Sequence, residues 1–216
     1  LGMKEGGYNM NFFELADKQK QERMELRRWL HSHREVSVKE YETAKHIEEH
    51  LDMLGVPHRR VGETGVYAWL TGDKEGKGTV VLRADTDALQ IQETGEKNYN
   101  SKNPGHMHAC GHDEHTAALL GAAKLLQENR NMFGGEVRFF FQQAEEVGGG
   151  ARLFIEQGLL EGANRVFGLH VASNVESGKL AIRSGPGNAS VDHFPHHVNG
   201  RAAHVSTPHN LSLIQL

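Results

Sequence analysis

Cys110, the single cysteine among 216 residues, stands in HMHACGHDEHTAALLGAAKLL (residues 106–126), two positions before His112. Thiolate, imidazole and carboxylate are the ligands that zinc-like divalent ions take, and catalytic sites of this kind leave one position open for water. Spaced C-x-H, Cys110 and His112 can turn toward one point if the backbone between them is irregular. Three further segments offer the same palette: Asp85 and Asp87 in RADTDAL, Glu145 and Glu146 in FQQAEEVGGGA, and His170 in GLHV. Neighbouring side chains at a strand end normally face opposite sides. The Glu145–Glu146 pair therefore predicts a division of labour, with one carboxylate on a metal and the other a general base for the attacking water and later the proton donor to a leaving amine.

Taken one at a time, each of these residues has an ordinary explanation. A lone cysteine is commonly a small buried hydrophobe, a Glu-Glu pair a solvated face, an Asp-x-Asp a turn cap, and a histidine after VFGL a satisfied core residue. The weight lies in their coincidence, because four successive strand ends or loops present metal-type residues. A closed structural zinc module usually carries four Cys/His ligands, so one thiol beside acids favours a catalytic centre. Most of the fifteen histidines must lie outside any site, since no site uses so many.

The elements that must position these residues are legible in the pattern. FFELADKQKQERMELRRWLHSH reads as one amphipathic helix. In YETAKHIEEHLDMLGVP, Ala44, Ile47, Leu51 and Leu54 recur at helical spacing, with Gly55 and Pro57 as a stop. GTVVLRADTDAL and GGEVRFFFQQAEE are short apolar runs of strands covered on both faces, GGGARLFIEQGLL is a helix, and NRVFGLHV is another strand. The helix after the Cys/His cluster carries Leu119, Leu120, Ala123 and Leu126 on one face, with Asp113 expected as its N-cap. Strands alternating with helices predict an α/β fold with a mainly parallel sheet and helices on both faces. Ligands in such sheets bind beyond the carboxyl ends of the strands, which places Asp85, Asp87, Glu145, Glu146 and His170 on one rim. From about Glu176 the chain turns glycine-rich and short-stranded, and a domain boundary is expected near Gly185, dividing 1–184 from 185–216.

Composition narrows the partner. A formal net charge of −4 gives no basic surface for nucleic acid or an anionic membrane, so a small molecule is the expected partner. No apolar run approaches the roughly 20 residues of a membrane span, and the first residues lack the order of a signal peptide. With one cysteine no intramolecular disulfide can form, which suits a reducing, cytoplasmic setting.

RADTDAL, HACGHDEHTAALLGAA, FQQAEEVGGGA and GLHV, in this order and spacing, resemble the M20 metallopeptidases, in particular the amidohydrolase branch of hippurate hydrolases, N-acyl-amino-acid deacylases and auxin-conjugate hydrolases. The similarity spans roughly residues 24–210, with Arg34, Thr86 and Gln90 where proline, methionine and proline are usual. The resemblance implies a zinc-peptidase-like catalytic domain with two divalent ions (zinc, manganese, nickel or cobalt), hydrolysing an amide bond next to a free carboxylate. It implies Cys110, His112, Glu146 and His170 as ligands and Glu145 as general base, with Asp87 supporting the cluster. FPHHVNGRAAHVSTPHN is similar to the start of the family's small α+β lid domain, which makes a homodimer contact; there His204 would donate to the substrate oxyanion. The family runs to nearly twice this length and brings one more histidine ligand. A lid truncated within 185–216 is therefore expected, with an apolar sheet edge left uncovered. The substrate expected is an N-acyl amino acid; a dipeptidase or carboxypeptidase of the same superfamily, or an inactive metal-binding fragment, are the alternatives.

Overall fold

The computed structural model describes residues 12–95, 97–182 and 184–185. It divides the chain into two compact units, Leu1–Ala172 and Ser173–Leu216. The described residues of the second unit carry turns and bends and neither helix nor strand. Residues 186–216, with the expected lid segment and His204, lie outside the described residues.

The first unit begins with α1 (Phe12–Lys18) and α2 (Lys20–Ser32), so the single helix expected here is two, parted by a turn at Gln19. α3 (Tyr41–Leu54) stops where its sequence predicts: Gly55 takes the left-handed conformation at φ 66°, and its N–H bonds back to Asp52 and Leu51 carbonyls. There follow β1 (His58–Val61), β2 (Gly65–Thr71), β3 (Lys74–Asp85), α4 (His112–Glu128), β4 (Gly134–Gln142), α5 (Gly150–Glu156) and β5 (Arg165–Gly168).

The strands form one sheet in the order β1-β2-β4-β3-β5. β3 runs parallel to both β4 and β5, whereas β1–β2 and β2–β4 are antiparallel. The sheet is thus mixed, correcting the mainly parallel one read from the sequence. For the β1–β2 pair the cause is the Gly62–Thr64 connection, far too short for the crossover that parallel neighbours need.

Alternation along the strands builds a core on each face. Val66, Ala68, Leu70, Ala84, Phe139 and Phe141 pack with Ile47 and Leu51 of α3 and Leu119, Leu120 and Ala123 of α4. On the other face Val61, Val81 and Phe140 pack with Phe154 of α5 and with Leu159. Each such valine, leucine, isoleucine or phenylalanine side chain removed from water contributes about 1.5–3 kcal/mol, and each alanine less. Helices therefore cover both faces, as expected. β5 is an edge strand with all four residues exposed, and Val166, Phe167 and the following Leu169 are each more than half exposed.

This topology positions the site. β3, β4 and β5 run in the same direction, so Asp85, the turn after Gln142 and the segment after Gly168 emerge at one edge of the sheet, where α4 begins.

Candidate metal centre

The turn that joins Cys110 to His112 depends on Gly111. Its φ of +90° is left-handed, and a Cβ there would lie 2.4 Å from Val171 Cγ2, so both backbone and space exclude a side chain. α4 starts at His112 itself, with Gly111 as its cap. Asp113, expected as the cap, is instead buried: its Oδ2 lies 2.8 Å from His31 Nδ1 and 2.7 Å from Arg27 Nε. His112 is completely buried, and its Nδ1–H donates to the Asp87 carbonyl at 2.9 Å, with Asp87 Oδ1 at 3.3 Å. In the neutral imidazole that bond fixes the tautomer and leaves a lone pair on Nε2, which has no hydrogen-bond partner. Around this atom lie Asp85 Oδ2 at 3.6 Å, Glu146 Oε1 at 3.7 Å and Glu145 Oε2 at 4.0 Å.

Glu145 and Glu146 do not continue β4, and the alternation argument for opposite-facing side chains does not apply to them. The strand ends at Gln142, and Ala144 then turns left-handed (φ 52°), so both acids sit in a turn and both approach His112. Glu146 N–H donates to Asp87 Oδ2 at 3.0 Å, and Ser37 Oγ–H donates to the same oxygen at 2.6 Å. Asp87 thus touches His112 and the backbone of Glu146 at once.

His170 Nδ1–H donates to the Val171 carbonyl at 2.7 Å, which turns its Nε2 to Cys110 Sγ at 3.3 Å. His115 joins this neighbourhood from α4, where its i+3 spacing from His112 puts both on one helix face. Both of its nitrogens are used: Nδ1–H donates to Asp85 Oδ1 at 2.5 Å and Nε2 accepts the Val171 N–H at 2.9 Å. Asp85 is likewise engaged on both oxygens, the second by Arg83 Nη1 at 2.8 Å. These two residues brace the strand end and the segment carrying His170, while the atoms left open belong to other side chains.

The electrostatics are those of a site poised for a cation. Burial alone would raise the Asp85 pKa, yet the His115 hydrogen bond and the nearby His112 and Arg83 hold it at about 2. Burial works against a charged His112, but the Asp87 hydrogen bond and surrounding carboxylates raise its pKa overall. Cys110 is pushed up to about 12, first by burial and then by the charge of Glu146. Burial, with the charges of Glu145 and Asp87, also raises Glu146.

The donors fit divalent ions. Cys110, His112 and His170 form one group and His112, Glu145 and Glu146 another, each with ligand atoms within 4.8 Å of one another. His112 Nε2 and Glu146 Oε1 are buried without a hydrogen-bond partner, whereas buried polar atoms are normally paired, so both are available as donors to an ion. A third group, Asp85, His112 and His115, meets the same distance, but the hydrogen bonds of Asp85 and His115 already occupy it. Cys110, His112, Glu145, Glu146 and His170 are thus brought together.

Residues 81–215 match the model of peptidase family M20/M25/M40. The chain is 46% identical over 186 residues to an N-acetyl-L-cysteine deacetylase of Bacillus subtilis, covering 86% of this chain and 44% of that protein. It is also 46% identical over 190 residues to thermostable carboxypeptidase 2 of Saccharolobus solfataricus, covering 86% and 48%. A crystal structure of a Bacillus subtilis dinuclear metal-binding peptidase of the M20 family superposes with a TM-score of 0.75 at 40% identity, over 79% of this chain and 48% of that one. The chain spans about half the length of these relatives.

Proposed function

Because the chain belongs to peptidase family M20/M25/M40, we propose that its site takes part in hydrolysing the amide bond of N-acyl amino acids. The observation that carries this reading is the convergence of thiol, imidazole and two carboxylates on the unpaired Nε2 of His112. Cys110, His112, Glu146 and His170 would hold two divalent ions such as zinc, manganese, nickel or cobalt. Bound there, such ions polarise an acyl carbonyl and make water acidic enough to attack it near neutral pH.

The protein's own groups divide the remaining work. Asp87 keeps the His112 proton on Nδ1, so that Nε2 stays a ligand. Glu145 is the less buried of the paired acids, with a side chain 40% exposed against 19% for Glu146. It takes the proton of the attacking water and returns it to the amine nitrogen as the C–N bond breaks, releasing a carboxylic acid and a free amino acid. His204 is assigned a donor role toward the developing oxyanion, and residues 185–216 the start of a lid through which two copies pair. A cytoplasmic setting accompanies the reading, supported by the single unpaired cysteine. No helix among the described residues is long and apolar enough to cross a membrane, and the net charge of −4 fits a small-molecule substrate.

A second reading has support of equal identity from the carboxypeptidase relative, for which the scissile amide would lie in a peptide. A panel of N-acetyl and N-benzoyl amino acids beside dipeptides, offered to the zinc- or manganese-loaded chain, separates the two. Glu145→Gln should lower turnover of the preferred substrate by about 10²–10⁴-fold with metal content unchanged. Undiminished turnover in that variant would remove Glu145 from the chemistry.

A further inference from the structure

We infer that Glu40, at the start of α3, is a positioning residue that holds the Glu145–Glu146 turn in its ligand-bearing form; this rests on the metal-site reading above. Glu40 is a carboxylate with no exposed surface. Its Oε1 accepts the Ala144 N–H at 2.9 Å and its Oε2 accepts the Thr64 hydroxyl at 2.7 Å. A carboxyl group is seldom placed so deep unless its oxygens are needed. Here one of them ends on the residue that precedes both acids of the site.

Ala144 is the residue that needs holding. Among the described residues only it and Val38 have positive φ without being glycine, and left-handed backbone is unfavourable for alanine because Cβ crowds the following carbonyl. Strain of this sort persists where the surroundings over-determine it. Both backbone groups of Ala144 are committed: the N–H to Glu40, and the carbonyl to the N–H groups of Gly149 and Gly150 at 3.2 and 3.3 Å. Removing the Glu40 acceptor would leave a buried N–H unpaired and free Ala144 to relax toward ordinary backbone. The turn beyond it would then point Glu145 and Glu146 away from His112. Thr64, on the other oxygen, contributes to the packing of Glu40 without touching the site.

The test is zinc affinity of the full chain, read by competition with a chromophoric chelator, with thermal unfolding followed in parallel. Glu40→Leu should weaken zinc binding by about tenfold or more, the scale on which loss of a residue supporting the ligands acts. Glu40→Gln, whose amide oxygen can still accept from Ala144, should hold affinity close to the original. Ala144→Gly introduced into Glu40→Leu should recover most of the loss, because glycine adopts the left-handed turn without a clamp. Thr64→Val should lower the unfolding temperature and leave affinity unchanged. If Glu40→Leu does not fold, Glu40→Asp, one methylene too short to reach both partners, is read in its place with the same expected loss. Equal affinity in the original chain and in Glu40→Leu or Glu40→Asp would overturn the role of Glu40 alone, as would a Thr64→Val loss as large as theirs. No zinc bound by the unsubstituted chain would overturn the metal reading, and this role with it.

Discussion

His112 shows how much of the centre is decided by single atoms. Its Nδ1 proton is claimed by the Asp87 carbonyl, which leaves Nε2 bare inside a ring of acids. The Asp87 carboxylate also ties down the Glu146 N–H and the Ser37 hydroxyl, so this one residue orients two of the proposed ligands, His112 through its main-chain carbonyl and Glu146 through its side chain. Asp87→Ala keeps the main-chain acceptor of His112 but removes the anchor of the Glu146 N–H, and is expected to weaken zinc binding by about tenfold or more, measured by chelator competition; an unchanged dissociation constant would mean that the Asp87 carboxylate serves the fold alone. Cys110 adds a pH dependence. Its thiol is pushed up to about 12, by burial and then by Glu146, and a metal binds the thiolate, so binding releases a proton. Zinc affinity should therefore rise steadily between about pH 6 and pH 8, and a flat profile would mean that the sulfur stays protonated and unligated.

At the scale of elements, the site is a junction of three parallel strand ends with the first turn of α4, and the junction is tight. Gly111 permits the left-handed step between Cys110 and His112 while Val171 fills the space beside it. Gly111→Ala should cost about 2–4 kcal/mol, combining left-handed strain with overpacking, and should weaken metal binding as well. Urea unfolding would read the first effect, and a cost below 0.5 kcal/mol, roughly the level of a neutral surface change, would contradict the geometry. A second brace lies behind α4. Arg34 is wholly buried; its Nη2 pairs with Glu93 and its Nη1 lies 3.1 Å from His31 Nε2. His31 in turn reaches Asp113 beside His112. The sequence made legible the metal-type residues that the structure brings together, α3, and the strands ending at Asp85 and near Glu145, because helical spacing and short apolar runs are local signals. It did not make the β1–β2 hairpin legible, whose HRRV strand is charged, nor the break at Gln19, where neither glycine nor proline marks the turn. Glu40, His31 and Ser37 could not be read as neighbours of the site, since their partners lie far along the chain. The left-handed Ala144 was equally hidden, because nothing in an alanine announces positive φ.

For the molecule as a whole, stability and metal binding are coupled, since an ion bound only by the folded state stabilises it by about 2.7 kcal/mol at a hundredfold excess over the dissociation constant. Acidity acts in the opposite direction. Remote from the site, His46 stacks on Trp29 with ring centroids 3.5 Å apart, and burial, then the charges of His50 and His33, lowers its pKa to about 4. The unfolded chain takes up this proton near pH 6.5, whereas the folded one refuses it until about pH 4. Stability from this group is complete above about pH 6.5 and is lost as pH falls toward 4. Glu93 and Asp85, each held at about 2 despite burial by their hydrogen-bonding and charged partners, add a further loss below about pH 4.5. His46→Phe, which keeps a ring on Trp29, should reduce the drop in melting temperature between pH 7 and pH 5; a drop as large as the original would remove His46 from the acid response. The central claim is that Cys110, His112, Glu146 and His170 build a divalent-metal site, and cobalt titration followed by absorbance tests it most directly. A near-ultraviolet thiolate-to-cobalt charge-transfer band should grow to saturation in the original chain and be absent in Cys110→Ser, whereas saturable cobalt binding without that band, or no binding at all, would contradict the account.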